Sequence, residues 1–145
     1  MRPTRLIWII PIFAAATALA HGGVKNPQVM ARMNAMSAIA DNMKILGQMA
    51  KGETSFDAAK AQAAATAVAE HAAQSVTLFE APASDPKSEA LPAIWENYPD
   101  FTDTAVALEK AALSAATTIT SLDTLRAAVP SMGQTCGACH KLYRK

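Results

Sequence analysis

Apolar and small side chains recur every three or four residues in four long segments, the pattern of helices that bury one face. The segments cover about residues 26–50, 55–80 and 100–117, and the last begins after the β-branched run at 117–120. Alanine is abundant and aromatic residues make up only 6% of the chain, which also favours helices. The sequence therefore predicts an all-α protein.

The same spacing predicts which helix faces are buried. The inner face of the first helix would be Met33, Met36, Ala40, Met43 and Gly47. That of the second would be Ala61, Ala64, Val68, Ala72, Val76 and Phe79, and that of the third Phe101, Ala105, Leu108, Ala112 and Ala115. We expect Gly52 to cap the end of the first helix and Thr54 to cap the start of the second.

Residues 81–99 interrupt the helical pattern with four prolines, which exclude one regular helix. We expect a long crossover there, with one short turn around Ile94 and Trp95. Four helices joined by one long connection between the second and third predict an antiparallel four-helix bundle.

The fourth segment carries a single seam at helical spacing: Leu122, Leu125, Val129, Met132, Cys136, Cys139 and Tyr143. Pro130 interrupts this seam, and a proline in a helix interior costs about 3 kcal/mol. We therefore expect either a kink there or a new helix start near Ser131.

The end of this seam contains the pattern of c-type haem attachment, in which Cys136 and Cys139 are followed directly by His140. Residues three and four apart are neighbours on a helix surface. Both thiols can therefore reach the two vinyl groups of one porphyrin while the imidazole faces the iron. The sequence predicts one covalently attached haem c, with His140 as an iron ligand.

Three other interpretations of the two cysteines compete with haem. A disulfide between them is plausible in an oxidising compartment, and a thioredoxin-like redox motif shares their spacing. Neither explains His140, and the βαβ surroundings of a redox motif are missing. Zinc would need four ligands, and only His21 and His71 remain as further histidines.

The first twenty residues have the features of a secretory signal peptide. Arg2 and Arg5 precede a short apolar run, and small residues at 18–20 suit a signal peptidase. The run is too short to span a bilayer, so we expect no stable membrane insertion after cleavage. Residues 21–145 would form one exported domain. Removing the two arginines lowers Lys+Arg from 13 to 11 against 12 Asp+Glu, a formal charge of −1 that argues against nucleic acid.

The late attachment motif, the four-helix pattern and residues 41–52 together resemble the class II c-type cytochromes, the cytochrome c prime family and its low-spin relatives. The resemblance covers about residues 23–144, and its most specific part is the motif with Tyr143 and Arg144 behind it. It implies a bundle with haem between the helices, bound from the fourth helix and covered from the first, and the signal peptide places this bundle in the periplasm.

The resemblance also implies which residue of the first helix faces the iron. The family's residue facing the iron lies seven positions before the methionine of an Asn-Met pair, here Asn42-Met43, which gives Met36. An arginine four residues earlier, here Arg32, pairs with a haem propionate. With a methionine at this position, the chain is similar to the low-spin subgroup. Members of that subgroup carry electrons to redox partner proteins and are not enzymes. Leucine, phenylalanine or tyrosine there is typical of high-spin members with a gas-binding face.

The residues alone leave these assignments open. Each methionine of the first helix could be core filler, and Arg32 could be a solvated surface charge. A five-coordinate protein that binds or detoxifies gases such as nitric oxide is the alternative function, and a disulfide-stapled structural protein is a remote third. Family members are often homodimers through their first two helices, and the small alanine side chains permit such packing without requiring it. A copper site at an N-terminal His21 has no second supporting feature.

We predict that the exported protein begins at His21, because the residues before it fit signal peptidase. Edman sequencing of protein from a periplasmic fraction would test the cleavage site directly. A periplasmic protein that still begins at Met1 would contradict the prediction.

Overall fold

Five helices make up most of residues 22–145, the part of the chain that the computed structural model describes. They are α1 (Pro27–Lys51), α2 (Ala58–Leu78), α3 (Ala93–Glu96), α4 (Tyr98–Thr118) and α5 (Leu122–Tyr143). The predicted signal peptide and His21 lie outside the described residues. Helix α2 packs against α1 and α4, and α5 packs against α4 and α1. This is the predicted antiparallel four-helix bundle, with α3 as the expected single turn inside the crossover.

The ends of α1 follow from local chemistry. The Asn26 side chain accepts hydrogen bonds from the backbone N–H groups of Gln28 and Val29, which satisfies two donors that a helix start leaves free. Gly52 ends the helix with φ of 78°. This left-handed conformation is the one that glycine adopts without a Cβ penalty, so the predicted cap is confirmed.

The start of α2 differs from the prediction. Asp57, and not Thr54, is the N-cap, because its carboxylate accepts from the Lys60 backbone N–H at 3.0 Å. The helix therefore begins at Ala58, three residues later than the spacing suggested. Both side-chain types are good caps, so the sequence did not discriminate between them.

The core of the bundle is built from the predicted faces of α2 and α4. Every predicted inner residue of α4 is buried, and on α2 only Val76 is half-buried. Alanine dominates both faces, and small side chains let helix axes approach closely. Helices α2 and α4 thus form the closely packed side of the bundle.

The inner face of α1 is displaced from the predicted one. Its buried residues are Val29, Arg32, Ala35, Ile39, Leu46 and Met49. The predicted residues, with the methionines at 33, 36 and 43 among them, are half-buried or exposed. The spacing identified a true apolar stripe, but that stripe faces a cavity rather than the packed core.

Pro130 does not divide the last helix. Helix α5 runs unbroken from Leu122 to Tyr143, so the predicted new start near Ser131 is wrong. Pro130 is exposed, which lets water satisfy the carbonyl that loses its donor one turn earlier. A capping box at Ser121 and Thr124 stabilises the start of the helix.

The crossover between α2 and α4 is tied to both ends of the chain. Asp85 accepts hydrogen bonds from the backbone N–H groups of Lys25 and Asn26, at 2.8 and 3.0 Å. Further along, Leu91 N–H donates to Tyr143 O and Lys145 N–H donates to Glu89 O, each at 2.9 Å. These contacts hold the crossover against the start of α1 and the end of α5.

Two aromatic side chains tie the end of the crossover and the start of α4 to the end of α2. Trp95 Nε1 donates to the carbonyl of Phe79 at 2.8 Å, and the Tyr98 hydroxyl donates to the carbonyl of Val76. Among residues 22–145, no helix has the length and hydropathy of a bilayer-spanning segment.

We predict that Asp85→Ala destabilises the fold more at neutral pH than in acid. Three backbone N–H groups, of Lys87 first and then of Lys25 and Asn26, lower the pKa of Asp85. A carboxylate whose pKa is lowered by folding stabilises the protein above its unfolded pKa of about 3.9, and this stabilisation is lost as pH falls through the folded pKa.

Urea unfolding followed by circular dichroism at pH 7 and pH 3 would measure the difference between wild type and Asp85→Ala. Asp41→Ala, which removes another exposed carboxylate, is the matched control and should change stability little. An equal loss of stability at both pH values would contradict the electrostatic explanation.

Candidate functional site

A cavity of about 560 Å³ lies between α1, α4, α5 and the crossover. All five residues assigned to the cofactor from sequence line it: Arg32, Met36, Cys136, Cys139 and His140. The rest of the wall is mostly apolar and includes Phe79, Ile94, Phe101, Leu108 and Tyr143. Such a cavity fits a flat apolar macrocycle with a polar edge, which is the shape and chemistry of a haem.

The two thiols have the wrong electrostatics for a redox-active pair. Burial raises the pKa of Cys136, and the neighbouring Cys139 raises it further. Burial also raises the pKa of Cys139 and outweighs a hydrogen bond from Thr104. Reactive Cys-x-x-Cys thiols instead have lowered pKa values. Half-buried thiols that face an apolar cavity fit attachment to a cofactor better than disulfide exchange.

His140 lies at the edge of the same cavity, in the last turn of α5. Burial lowers its pKa, the nearby Arg144 lowers it further, and Glu89 acts in the opposite direction. These effects favour the neutral imidazole, which is the form that binds a metal.

Three methionines of α1 line the cavity, at positions 33, 36 and 43. The buried apolar side chains around it form two clusters, the bundle core and a smaller group of Phe79, Ile94, Phe101 and Tyr143. Met36 packs against both clusters. Cys136 packs against the first and Cys139 against the second. Met36 thus lies between the same two clusters that flank the attachment motif.

Arg32 is buried, with only 2% of its surface exposed, so the interpretation as a solvated surface charge is wrong. Its Nε donates to Leu78 O at 2.8 Å, and its two Nη atoms donate to the carbonyls of Ala81 and Ala83. The guanidinium also lies over the rings of Phe79 and Trp95, 4.8 and 5.2 Å from their centroids. The family resemblance implied that Arg32 lies at the haem site but gave no sign of these bonds.

Two polar pairs near His140 were not predicted as part of the site. Arg144 Nε donates to Glu89 Oε2 at 2.6 Å, and both residues line the cavity. The Tyr143 hydroxyl donates to Asp100 Oδ2 at 2.5 Å, which is the main cause of a Tyr143 pKa raised to about 12. Glu89 lies in the proline-rich crossover, where no periodicity marks which residues face inward.

The donor set fits an iron held by a porphyrin rather than a metal held by protein alone. Within residues 22–145, no group of three or more His, Cys, Asp or Glu side chains could hold a metal ion. A zinc site at Cys136 and Cys139 would need such a group. His71 lies elsewhere, with Nδ1 at 3.1 Å from Gln74 Oε1.

Comparison with known proteins agrees with this geometry. A family model described as Cytochrome C' matches residues 27–144. Cytochrome c-556 of Agrobacterium tumefaciens (strain II Chrys) is 35% identical over 81% of this chain and 96% of its own, and a cytochrome c-554 of Cereibacter sphaeroides is 35% identical over 100% and 99%.

The solved structures show the same bundle. An NMR-validated model of oxidised Rhodopseudomonas palustris cytochrome c556 is 31% identical, covers 83% of this chain and 98% of its own, and has a TM-score of 0.75. A nitric oxide complex of a cytochrome c prime variant from Alcaligenes xylosoxidans is 29% identical, covers 81% and 94%, and has a TM-score of 0.70.

We predict that replacing both cysteines, in Cys136→Ala with Cys139→Ala, releases the haem. Two thioether bonds keep the pigment on the wild-type chain through denaturation and acid extraction, and the double variant has neither. Acid–acetone extraction followed by absorbance of the two phases would measure this. Each single variant retains one thioether and should keep its pigment. Pigment that extracts from wild type, or that stays with the double variant, would contradict covalent attachment.

Proposed function

We propose that this chain, which belongs to the cytochrome c prime family, carries single electrons through one covalent haem c whose iron is bound by His140 and Met36. The observation that carries the axial assignment is the position of Met36. Of the three cavity-lining methionines, it packs against both apolar clusters that flank the attachment motif.

Each residue has a distinct part in this function. Haem would supply the one-electron chemistry of its iron, and ligation by His140 and the Met36 thioether would favour ferrous iron and exclude gases from it. Cys136 and Cys139 would fix the ring plane relative to α5. The neutral imidazole of His140 supplies one ligand without losing a proton, and apolar side chains exclude water from the buried face.

The bundle suits electron transfer because neither ligand has to move. Met36 lies on the 25-residue α1 and His140 on the 22-residue α5; these two helices pack against each other, α1 also packs against α2, and α5 also packs against α4. Side chains on helices are positioned more precisely than side chains on loops, which would limit reorganisation when an electron is transferred.

The alternative is a five-coordinate haem that binds or detoxifies small gases such as nitric oxide. The observation that favours it is the similarity to cytochrome c prime of Alcaligenes xylosoxidans, a variant of which was solved as a nitric oxide complex. The names cytochrome c-556 and c-554 of the compared relatives support the electron carrier instead. The two functions differ in whether Met36 occupies the sixth position.

The cellular setting belongs to the same proposal. An exported chain with a covalent haem would work in the periplasm and exchange electrons with redox partner proteins, with no substrate and no catalytic residue of its own. Arg32 would direct its remaining N–H groups at a haem propionate. A guanidinium has five N–H donors. The three bonds to carbonyls use three of them, so two remain for the propionate.

We predict that Met36→Ala opens the sixth position. The oxidised and reduced spectra should change from low to high spin, ferrous protein should bind carbon monoxide, and the reduction potential should fall because a ligand that favours ferrous iron is lost. Visible absorption with and without carbon monoxide would measure the first two effects.

Met33→Ala and Met43→Ala are the matched controls, since both line the cavity from the same helix. They should keep the low-spin spectrum and lose less stability than the ~2–5 kcal/mol of a fully buried methionine. Wild-type protein that is already high spin and binds carbon monoxide readily would favour the gas-binding function.

A further inference from the structure

Arg32 is a buried cation without a counter-charge in the protein. Three backbone carbonyls accept its hydrogen bonds, and two aromatic faces cover it. Among residues 22–145, no carboxylate forms a salt bridge with it. Burial alone lowers the Arg32 pKa, with no acidic partner opposing the shift. The three carbonyls carry no net charge, so no described protein group neutralises the guanidinium in the cavity wall.

The carbonyls also fix where that charge lies. Leu78, Ala81 and Ala83 belong to the end of α2 and the start of the crossover, and Arg32 reaches them from α1. Three hydrogen bonds from one planar group hold it in one orientation. Because Arg32 and Met36 are four residues apart on α1, their side chains are neighbours on the helix surface.

We propose that the fixed charge of Arg32 raises the reduction potential of the haem. Arg32 would then tune this potential in addition to lining the cavity. The inference rests on the proposed electron-carrier function. Transfer of one electron from a partner lowers the net charge at the iron by one, and no bond forms or breaks. A nearby positive charge in a low-dielectric wall stabilises the reduced state relative to the oxidised state.

The contribution of Arg32 differs from that of an ordinary surface charge. Exposed charges are screened by water and salt, whereas buried charges are screened much less. Arg126 provides the comparison within the same chain. Its Nε also donates to a carbonyl, that of Ala50, but it is exposed and lies at the opposite end of the bundle.

The test uses the holoprotein and three variants: Arg32→Gln, Arg32→Lys and Arg126→Gln. Spectroelectrochemical titration gives the midpoint potential, and the visible spectrum shows whether the His/Met low-spin state is retained. We expect a clearly lower potential for Arg32→Gln with an unchanged low-spin spectrum. Arg32→Lys keeps the charge and should stay near wild type at neutral pH, as should Arg126→Gln.

Two outcomes would overturn the proposal. One is an unchanged potential in Arg32→Gln with reduced stability in urea, which would leave Arg32 with a structural role only. The other is an equal fall in Arg32→Gln and Arg32→Lys that persists in Arg32→Lys at acidic pH, where the lysine is charged, which would assign the effect to displacement of the crossover. A high-spin spectrum of the wild-type protein would instead refute the proposed electron-carrier function, and it is distinguishable from both outcomes because it needs no variant.

If Arg32→Gln does not fold, Arg32→Lys alone can decide. A buried lysine has a lowered pKa and loses its charge at alkaline pH. Its potential should therefore fall more steeply with rising pH than that of wild type, which shares every other titratable group that lines the cavity. Parallel profiles in the two proteins would overturn the proposal.

Discussion

The structure depends on one constraint: α1 and α5 must belong to the same bundle and still leave an apolar cavity between them. Alanine-rich packing solves this problem on the other side of the molecule. Helix α2 packs closely against both α1 and α4, and α4 in turn supports α5. The gap is therefore held open by neighbours rather than by residues within it. A bundle with equally close packing on all four sides would have no room for a cofactor.

The crossover completes the cavity where helices do not reach. It is bonded to the start of α1 through Asp85 and to the end of α5 through the backbone at Glu89 and Leu91. Arg32 fixes its first residues, and Trp95 links its short helix back to Phe79. A proline-rich segment has little secondary structure to stabilise it. Hydrogen bonds from side chains and from the backbone at both ends of the chain stabilise it instead.

Sequence reasoning was most accurate where a local pattern determines the structure. The helix count, the inner faces of α2 and α4, the glycine cap of α1 and the attachment motif depend on spacing within one segment. It failed on the inner face of α1, because the methionine stripe and the core-facing stripe both have helical periodicity. Only the position of the neighbouring helices distinguishes a face that packs on protein from a face that lines a cavity.

The remaining failures involve contacts that are distant in sequence. Arg32 bonds to carbonyls 46 to 51 residues away, and Glu89 meets Arg144 across 55 residues. No spacing rule predicts such pairs, and carbonyl acceptors leave no trace in residue identity. Pro130 is a different case, because the penalty of a helical proline depends on whether the freed carbonyl reaches water. The apolar seam did not predict whether Pro130 is exposed. Its exposure explains why α5 continues past it.

The position of the attachment motif also links stability to the cofactor. Cys136, Cys139 and Tyr143 lie in the last turns of α5, and the clusters that they contact border the cavity. An apolar wall that faces water is unfavourable, and covering it with a bound macrocycle removes that cost. Covalent attachment makes this gain permanent, because the cofactor cannot be lost by dilution. The same bonds that secure the electron carrier's haem therefore complete its core.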